Sequence, residues 1–326
     1  MDSVYTSTII NAAKKRGIGI EVIDSQLPVF TLSYGEKTIR CYNGLTDNVG
    51  AATFHLAHDK GAANRFLKKF KFPVPGQELF TSFSNAVTFM KLHESIVVKP
   101  VSQWGGRGVS THVSNTPDLR AALTFARRYC DEIVLEECVP GIDWRLIFVN
   151  YRYVCAIQRD AAVVFGNGIN TIRELIKKKN KVSRAVDRSN TIPLERETRR
   201  CIEANGMTYD SIPETFKRVV VRRTSNYHTG GTVDIVTDKI PADLIDAGEK
   251  IANLLGVGFL GVDMLFDNST NKFTVIEMSP DMAISPPEGE IVAEAFLDNL
   301  FPDSAINPIP STYYSAGKSN VSDIRD

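Results

Sequence analysis

The pattern of apolar and polar positions along the chain alternates between helix-like and strand-like segments. Apolar residues spaced three or four apart predict helices, and short runs of β-branched and aromatic residues predict strands. The predicted helices are Ser3–Arg16, Lys60–Phe70, Asp118–Arg128, Thr171–Lys179, Ala242–Leu255 and Ile291–Leu300. The predicted strands are Ile18–Asp24, Val29–Ser33, Thr38–Tyr42, Ser95–Pro100, Val109–Val113, Ile133–Glu137, Leu146–Asn150, Tyr153–Arg159, Gly258–Phe266 and Phe273–Met278. Because helices and antiparallel hairpins are mixed, the predicted fold class is α+β.

Local signals mark two helix starts and one break in the chain. Asp59 is a predicted cap for the helix that follows it, and Thr171 with Glu174 has the spacing of a capping box. The stretch Phe72-Pro73-Val74-Pro75-Gly76 does not continue a helix and predicts a domain boundary. The predicted organisation is a short N-terminal α/β segment (1–72), two further units (73–140 and 141–302) and a weakly ordered tail (303–326), with a polar, mobile or lid-like insertion at 177–200.

Composition narrows the function classes. In 326 residues, Lys and Arg total 38 and Asp and Glu total 38, so no positive charge excess indicates a nucleic-acid partner. The five cysteines form no C-x-x-C pair, which argues against a zinc site or a disulfide framework and favours reduced thiols. The N-terminus lacks the pattern of a signal peptide, and no apolar run reaches the roughly 20 residues that span a bilayer. The sequence therefore predicts a cytoplasmic protein without a membrane or nucleic-acid partner.

A lysine and a glycine-rich turn provide the first element suited to a nucleotide. Lys99 lies in an apolar strand, and Gly105-Gly106-Arg107-Gly108 follows. An ammonium group offers charge to phosphate oxygens, and glycines let backbone N–H groups approach the same oxygens. The spacing matches neither a P-loop nor a dinucleotide-binding G-x-G-x-x-G. Taken alone, the glycines suit an ordinary β-turn equally well.

Acidic residues near strand ends provide the second and third elements. Val134–Asp143 leads a strand into a tight turn, where backbone groups suit an adenine edge and an acid suits ribose hydroxyls; a solvated acidic turn is the alternative. Asp263 and Glu277 lie within neighbouring apolar strands, where a buried carboxylate requires a cation or a donor. Mg²⁺ held by one or two carboxylates meets that requirement. Pairing of each acid with a nearby arginine is the alternative.

A polar loop provides the fourth element. Arg222–Thr232 contains two arginines, hydroxyl and amide side chains, and paired glycines. Its backbone N–H groups suit a carboxylate or a phosphate, with Arg222 offering planar bidentate recognition. An unspecialised polar loop explains the same pattern, and an isolated histidine such as His228 usually has no acid–base role.

In this order and with these spacings, the four elements resemble the ATP-grasp superfamily, and within it the ATP-grasp domains of cyanophycin synthetase and of bifunctional glutamate–cysteine ligase/glutathione synthetase. The G-N-G-I-N-T-I-R-E-L-I stretch (166–176) and the T-G-G-T…T-D stretch (229–238) are specific to that subgroup. The resemblance implies the ATP-grasp fold, in which two α+β subdomains clamp ATP: a small lid subdomain at 73–140 and a C-terminal subdomain with the metal site at 141–302. It rests on Ile96–Pro100, Gly105–Val109, Val134–Arg145, Phe165–Ile176, Asn226–Asp238, Gly261–Asp263 and Glu277–Ser279.

The resemblance also implies roles for individual residues and two cofactors, ATP and Mg²⁺, with two ions and with Mn²⁺ as a substitute. The implied nucleotide-binding residues are Lys60 and Lys99 on the phosphates, Gly105, Gly106 and Gly108 in a flap over them, Glu136, Glu137 and Val139 near the adenine, and Asp143 on the ribose. The implied cations facing phosphate and substrate carboxylate are Arg159 and Arg222, and the substrate contacts are Asn226, His228, Gly230 and Gly231. The implied metal ligands are Asp263, Glu277 and Ser279.

The implied activity is ATP-dependent carboxylate–amine ligation through an acyl phosphate, on an amino acid, a short peptide or a specialised metabolite, by a homodimer or homotetramer. Ser279 departs from the family's usual E-x-N metal motif, and Asp281 is a candidate substitute ligand. Two alternatives stay open. One is a ligase with another nucleophile, giving a thioester, an ester or a cyclised product; the other is a non-catalytic ATP-binding regulatory or scaffold protein. No side chain in the sequence stands out as the base for the amine.

Overall fold

The structure of the protein is a computed structural model that describes residues 4–24, 26–103, 105–281, 284 and 287–305. Two expectations fall partly outside these residues, namely Ser3 at the start of the first predicted helix and residues 306–326 of the predicted tail. Within the described part of the chain, no helix is both long and apolar enough to cross a membrane.

The N-terminal segment is a helix packed on a small antiparallel sheet, followed by two short helices. Arg16, just after the first helix, donates to Glu294 at 2.7 Å and to Asp298 at 2.6 Å, which ties this segment to the last helix of the chain. The strands pair in the order β1-β2-β3-β4. The elements are α1 (Val4–Lys15), β1 (Gly19–Asp24), β2 (Val29–Tyr34), β3 (Lys37–Tyr42), β4 (Leu45–Thr46), α2 (Ala51–His58) and α3 (Lys60–Lys69).

The second unit, the lid, is a four-stranded antiparallel sheet packed against two helices. Its strands pair in the order β5-β8-β6-β7, and its own apolar core includes Leu119 and Leu135. The predicted strands at 95–100 and 109–113 pair with each other, with Ile96 opposite Val113. The elements are β5 (Gln77–Leu79), α4 (Phe83–Leu92), β6 (Ile96–Pro100), β7 (Ser110–Val113), α5 (Thr116–Ala126) and β8 (Ile133–Glu137).

The third unit is built on a five-stranded antiparallel sheet in the order β13-β10-β9-β14-β15. The predicted strands at 146–150 and 153–159 correspond to the hairpin of β9 and β10. Its elements are β9 (Ile142–Val149), β10 (Arg152–Asp160), β11 (Val163–Phe165), α6 (Ile172–Val186), α7 (Arg196–Glu203), β12 (Arg218–Val220), β13 (Thr232–Ile235), α8 (Ala242–Leu255), β14 (Phe259–Asp267), β15 (Lys272–Ser279) and α9 (Gly289–Leu300).

Alternation along β9 separates the two faces of this central sheet. Leu146 and Phe148 pack with residues of α8 and α3 on one face. Ile147 and Val149 pack with α1 and α9 on the opposite face. Asp143 and Arg145 share that second face by their spacing, so a polar region adjoins an apolar one on the same side of the sheet.

An insertion between β10 and β13 forms a small unit with its own core. The predicted capping box is confirmed: Thr171 accepts from the Glu174 N–H at 3.3 Å, and Glu174 accepts from the Thr171 N–H at 2.9 Å. The stretch 177–200, predicted as mobile or lid-like, holds the second half of α6 and the start of α7. Arg200 on α7 donates to the Thr111 carbonyl of the lid. The insertion therefore contacts the lid directly, while the predicted domain boundaries stay predictions.

Gly248 allows α8 to lie directly on the central sheet, which gives a testable consequence. A Cβ at this position would lie 1.9 Å from Cζ of the fully buried Phe148. Although alanine favours helices over glycine, we expect Gly248→Ala to lower the free energy of unfolding by about 1–3 kcal/mol through overpacking. Chemical denaturation measures this change. The exposed Lys250→Ala on the same helix is the control, and a Gly248→Ala variant as stable as that control would contradict the packing described here.

Candidate functional site

A buried ion pair holds the lysine of the lid. Lys99 lies on β6, and its Nζ donates to Glu136 on the neighbouring strand β8 at 2.7 Å. Gln77 on β5 donates to Glu136 Oε2 at 2.7 Å. Both charged side chains are almost fully buried, so each compensates the charge of the other. In this structure Glu136 therefore binds Lys99, while the adenine contact that the resemblance implies for it stays a prediction.

Glu137 and Val139 lie where the lid joins the central sheet. The Gly76 N–H donates to the Glu137 carboxylate at 2.9 Å, and the Glu137 N–H donates to the Gly76 carbonyl at 2.8 Å. These bonds hold the segment 72–76, the predicted domain boundary, against the end of β8. Val139 follows in the partly exposed loop to β9. A nucleotide contact at either residue stays a prediction.

Lys60 brings a second ammonium group to the same region. It begins α3, whose predicted cap is confirmed because Asp59 accepts from the Ala62 N–H at 2.8 Å. The Lys60 Nζ donates to the Gln103 carbonyl at 2.5 Å, just before the glycine-rich turn. Burial lowers the pKa of Lys60, and the carboxylate of Glu277 is the main group that opposes this shift. The lysine of α3 therefore lies within electrostatic reach of β15.

A row of charged side chains crosses the central sheet. Arg145 on β9 lies opposite Asp263 on β14, which in turn lies opposite Glu277 on β15. Directly opposite residues project to the same face of the sheet. Arg145 donates to both Asp263 oxygens, from Nε at 2.6 Å and from Nη2 at 2.9 Å. Arg159 on β10 lies 2.8 Å from the same carboxylate.

Asp143 completes this charge cluster. Arg159 donates to Asp143 from Nη2 at 2.6 Å and from Nε at 3.1 Å. Burial disfavours the carboxylate of Asp263, but Arg145 and Arg159 outweigh burial and lower its pKa to about 2. Burial raises the pKa of Asp143 to about 6 against the attraction of Arg159. The ribose contact implied for Asp143 stays a prediction, because in this structure its carboxylate pairs with Arg159.

The predicted metal ligands occupy one edge of the charge row. Arg145 and Arg159 together make three contacts with the Asp263 carboxylate. An ionised carboxylate has about four acceptor sites, so a metal ion bound to Asp263 would share this carboxylate with the two arginines. Ser279 Oγ donates to Asp281 at 3.0 Å. Asp281, the candidate substitute metal ligand, therefore lies beside the Ser279 hydroxyl. No group of three or more His, Cys, Asp or Glu residues suited to a metal occurs among the described residues. Mg²⁺ that keeps phosphate and water ligands needs only one or two carboxylates, so Asp263 and Glu277 suit it.

The glycine-rich turn contacts the polar loop predicted to bind substrate. A Cβ on Gly106 would lie 3.5 Å from Cβ of Asn226, and one on Gly105 would lie 3.8 Å from Cδ2 of His228. Gly108 has a φ of 71°, and its Cβ would lie 2.8 Å from Pro100. Only glycine adopts this left-handed conformation so close to β6 without strain. The predicted flap therefore lies directly beside the loop at 226–231.

The loop at 226–231 is folded tightly by hydrogen bonds within itself. The Asn226 side chain accepts from the His228 N–H at 2.9 Å, and the Asn226 carbonyl accepts from the Gly231 N–H at 3.0 Å. Gly230 has a φ of 89°, and a Cβ there would lie 2.2 Å from Ile192. Burial lowers the pKa of His228; Asp187 opposes that shift, and Arg145 and Arg107 reinforce it. His228 therefore lies within electrostatic reach of the charge cluster.

Arg222 makes its contacts within the insertion. It is 1% exposed, and its Nη1 donates to Glu195 at 2.6 Å. Its Nε has no hydrogen-bond partner among the described residues. The predicted contact of Arg222 with a substrate carboxylate stays a prediction, whereas Arg159 lies in the charge cluster.

Three residues at this site were missed by sequence reasoning: Arg145, Gln77 and Gln103. Arg145 was detectable in part, because it follows Asp143 by two positions on a predicted strand and therefore shares its face. Gln77 and Gln103 had no such signal, since their contacts with Glu136 and Lys60 depend on tertiary packing.

The charge cluster predicts unequal effects for the two acids of the row. Asp263→Asn leaves the buried guanidinium groups of Arg145 and Arg159 without a full counter-charge, so we expect the free energy of unfolding to fall by about 3–5 kcal/mol. Glu277→Gln is the matched control, because Glu277 is only half-buried, and its fall should be much smaller. Denaturant titration of both variants measures the difference. Equal stability of the two variants would contradict a structural role for the Arg145–Asp263 pair.

Curated proteins of two kinds are similar in sequence to most of this chain. The chain is 28% identical over 323 residues to a cyanophycin synthetase of Trichormus variabilis, an alignment that covers 94% of the chain and 36% of that protein. It is also 28% identical over 321 residues to the glutathione biosynthesis bifunctional protein GshAB of Streptococcus thermophilus, covering 91% of the chain and 42% of that protein. The chain thus spans roughly two fifths of the length of the curated relatives it matches. No protein-family model matches the chain.

A solved structure shares the fold. The bifunctional glutathione synthetase of Pasteurella multocida superposes with a TM-score of 0.59 at 23% identity, over 92% of this chain and 43% of that one. The α+β class predicted from the sequence is confirmed by the four sheets and by this match. The chain has the ATP-grasp fold and is similar in sequence to cyanophycin synthetase and to the glutathione biosynthesis bifunctional protein.

Proposed function

We propose that the chain is an ATP-dependent carboxylate–amine ligase that forms an amide or peptide bond through an acyl phosphate. One observation carries the proposal: Lys60 lies within electrostatic reach of both Lys99 and Glu277, at the edge of a sheet face that also holds Arg145 and Arg159. This arrangement combines cations for phosphate oxygens with carboxylates for a metal ion. The relatives of the chain are ligases of the ATP-grasp type, which supports the same reaction class.

The chemistry makes modest demands on proton transfer in its first step. A substrate carboxylate oxygen attacks the γ-phosphoryl group of ATP, which gives an acyl phosphate and ADP. An amine then attacks the acyl carbon, and phosphate leaves. Catalysis of the first step consists mainly of alignment and charge neutralisation. Buried lysine and arginine side chains suit that task because their fields are strong where water is excluded.

The residues of this chain divide the work by position. Lys99, fixed by Glu136, and Lys60, fixed by the Gln103 carbonyl, present their charges to phosphate oxygens. The glycine-rich turn would close over the same region; it lies beside Asn226 and His228. Arg145 lies between the Glu277 edge and the apolar part of the face, where a planar guanidinium suits the substrate carboxylate.

ATP-grasp ligases use ATP and Mg²⁺. Asp263 and Glu277 would hold Mg²⁺ in this chain, with Ser279 or its partner Asp281 as a further oxygen donor. The ion supplies neutralisation of phosphate charge when it is bound. We further propose that two Mg²⁺ ions bind and that Mn²⁺ can replace them. The proposed substrates are small molecules such as an amino acid, a short peptide or a specialised metabolite. The proposed form of the enzyme is a cytoplasmic homodimer or homotetramer.

A trapping assay tests the reaction class. We expect release of ADP and phosphate from MgATP only when the right carboxylate is present, and we expect added hydroxylamine to yield a hydroxamate by capturing the acyl phosphate. Amino acids and dipeptides offered singly serve as the carboxylates, with ferric-ion absorbance as the readout. Carboxylate-dependent ADP release without any hydroxamate would contradict ligation and favour a kinase. ATP binding without turnover for every carboxylate would favour the scaffold alternative.

A lysine variant tests the phosphate site. Lys60→Met retains the length of the side chain but removes the charge that faces Glu277, so we expect the Kd for a fluorescent ATP analogue to rise at least tenfold, about 1.4 kcal/mol of lost binding. Lys91→Met, on the exposed surface of α4, is the matched control. Equal affinities of the two variants would remove Lys60 from the nucleotide site.

A further inference from the structure

Glu288 is a buried carboxyl group without a full set of partners. It immediately precedes α9 and is 5% exposed. Its Oε2 is inaccessible to solvent and accepts no hydrogen bond from the described residues. A buried polar atom without a partner costs about 1–3 kcal/mol, and more where it carries charge. Such a group is seldom kept in a fold unless it interacts with something that binds there.

Its surroundings place Glu288 on the same face of the central sheet as the charge cluster. Among the described residues, Arg145 on β9 and Cys155 on β10 lie within electrostatic reach of Glu288. Cys155 lies opposite Ile147, which is two residues beyond Arg145 on the same face. Glu288 therefore lies over the boundary where the charged half of this face meets the apolar core of α1 and α9.

Arg145 separates Glu288 from the phosphate end of the site. On one side Arg145 donates to Asp263. Asp263 lies opposite Glu277, which is within electrostatic reach of Lys60. On the other side it attracts Glu288 without a hydrogen bond to its Oε2. A carboxyl group activated beside Arg145 would thus have phosphate donors on one flank and a free acceptor oxygen on the other.

The chemistry of Glu288 selects the class of ligand. An acceptor-only oxygen repels anions and attracts a donor that carries positive charge. A single carboxylate next to a guanidinium is a poor metal site, whereas a primary ammonium needs just such an acceptor. Burial raises the pKa of Glu288 to about 7, with its own backbone N–H and then Arg145 opposing the shift, so the group exchanges a proton readily near neutral pH.

We propose that Glu288 receives the amine substrate of the ligase: it accepts a hydrogen bond from a primary ammonium group and takes up the proton that the nitrogen must lose to attack. This inference rests on the proposed function. In the step, the nitrogen lone pair forms the C–N bond, the bond between the acyl carbon and the phosphate oxygen breaks, and phosphate leaves with that electron pair. The ammonium nitrogen loses two protons in all: the first goes to the Glu288 carboxylate before the attack, and the second leaves with the phosphate as hydrogen phosphate.

Two nucleophiles of different charge test the assignment. Hydroxylamine is largely uncharged at neutral pH and needs no receptor for an ammonium group, whereas methylamine and the α-amino groups of amino acids arrive protonated. In Glu288→Gln we expect hydroxamate formation within about twofold of the wild type, and amide formation with methylamine or amino acids slowed about 100-fold or more. Glu288→Asp keeps the carboxylate and should recover part of the lost rate.

Controls separate this role from a structural one. Glu290→Gln removes an exposed carboxylate of α9 that pairs with Lys15 of α1 at 3.2 Å, and both rates should stay at the wild-type value. The thermal midpoint of Glu288→Gln should equal or exceed that of the wild type, because an uncompensated buried carboxyl is lost.

Several outcomes would overturn the assignment. An equal loss of hydroxamate and amide formation in Glu288→Gln would mean that the residue acts on folding or on the first step. An unchanged amide rate would mean that it does not contact the amine. A wild-type enzyme that forms hydroxamate but acylates neither methylamine nor any amino acid would show that no primary ammonium binds. A wild type that forms no hydroxamate from any carboxylate would instead remove the proposed function itself.

Discussion

The site depends on one interaction, the buried ion pair between Arg145 and Asp263. Two charges in the middle of an apolar sheet are tolerated only because each satisfies the other in a bidentate geometry, with Arg159 and Asp143 completing the set. That pair gives the second face of the sheet its polar half. Glu277 lies on one flank of the pair and Glu288 on the other, so both catalytic ends of the proposed site take their positions from it.

The lid also contains a buried ion pair, formed by Lys99 and Glu136. Lys99 reaches the cleft from a buried strand, and Glu136 prevents its charge from destabilising the sheet. Gln77 orients that carboxylate from the neighbouring strand. Preorganisation of this kind lowers the cost of aligning a flexible lysine with a phosphate group at the moment of reaction. The price is that removal of Glu136 would disturb both the fold of the lid and the position of the lysine.

The sequence predicted much of the fold because periodicity and caps are local. The helix 242–255 has the predicted bounds, and the caps at Asp59 and Thr171 are confirmed. Helix α2 (A-A-T-F-H-L-A-H) was missed because its apolar residues leave no polar face, and α7 because it is mostly polar with only two buried apolar side chains. The candidate site was predicted residue by residue from a resemblance, and pairing of Asp263 with an arginine was the stated alternative, but the sequence did not specify which arginine. Arg145 and Asp263 are 118 positions apart, and no local pattern records that they meet.

The charge balance of the site explains why a metal ion belongs to the proposed reaction. Lys60, Lys99, Arg145 and Arg159 are four cations, and Glu136, Asp143, Asp263 and Glu277 are four carboxylates on the same structure. These eight groups therefore balance one another and by themselves offer a triphosphate no excess positive charge. ATP brings several negative charges into a cleft where burial makes each of them costly. A divalent cation that enters with the nucleotide supplies the missing charge, and the half-buried Glu277 is the carboxylate best placed to bind it because arginines do not already occupy its oxygens among the described contacts.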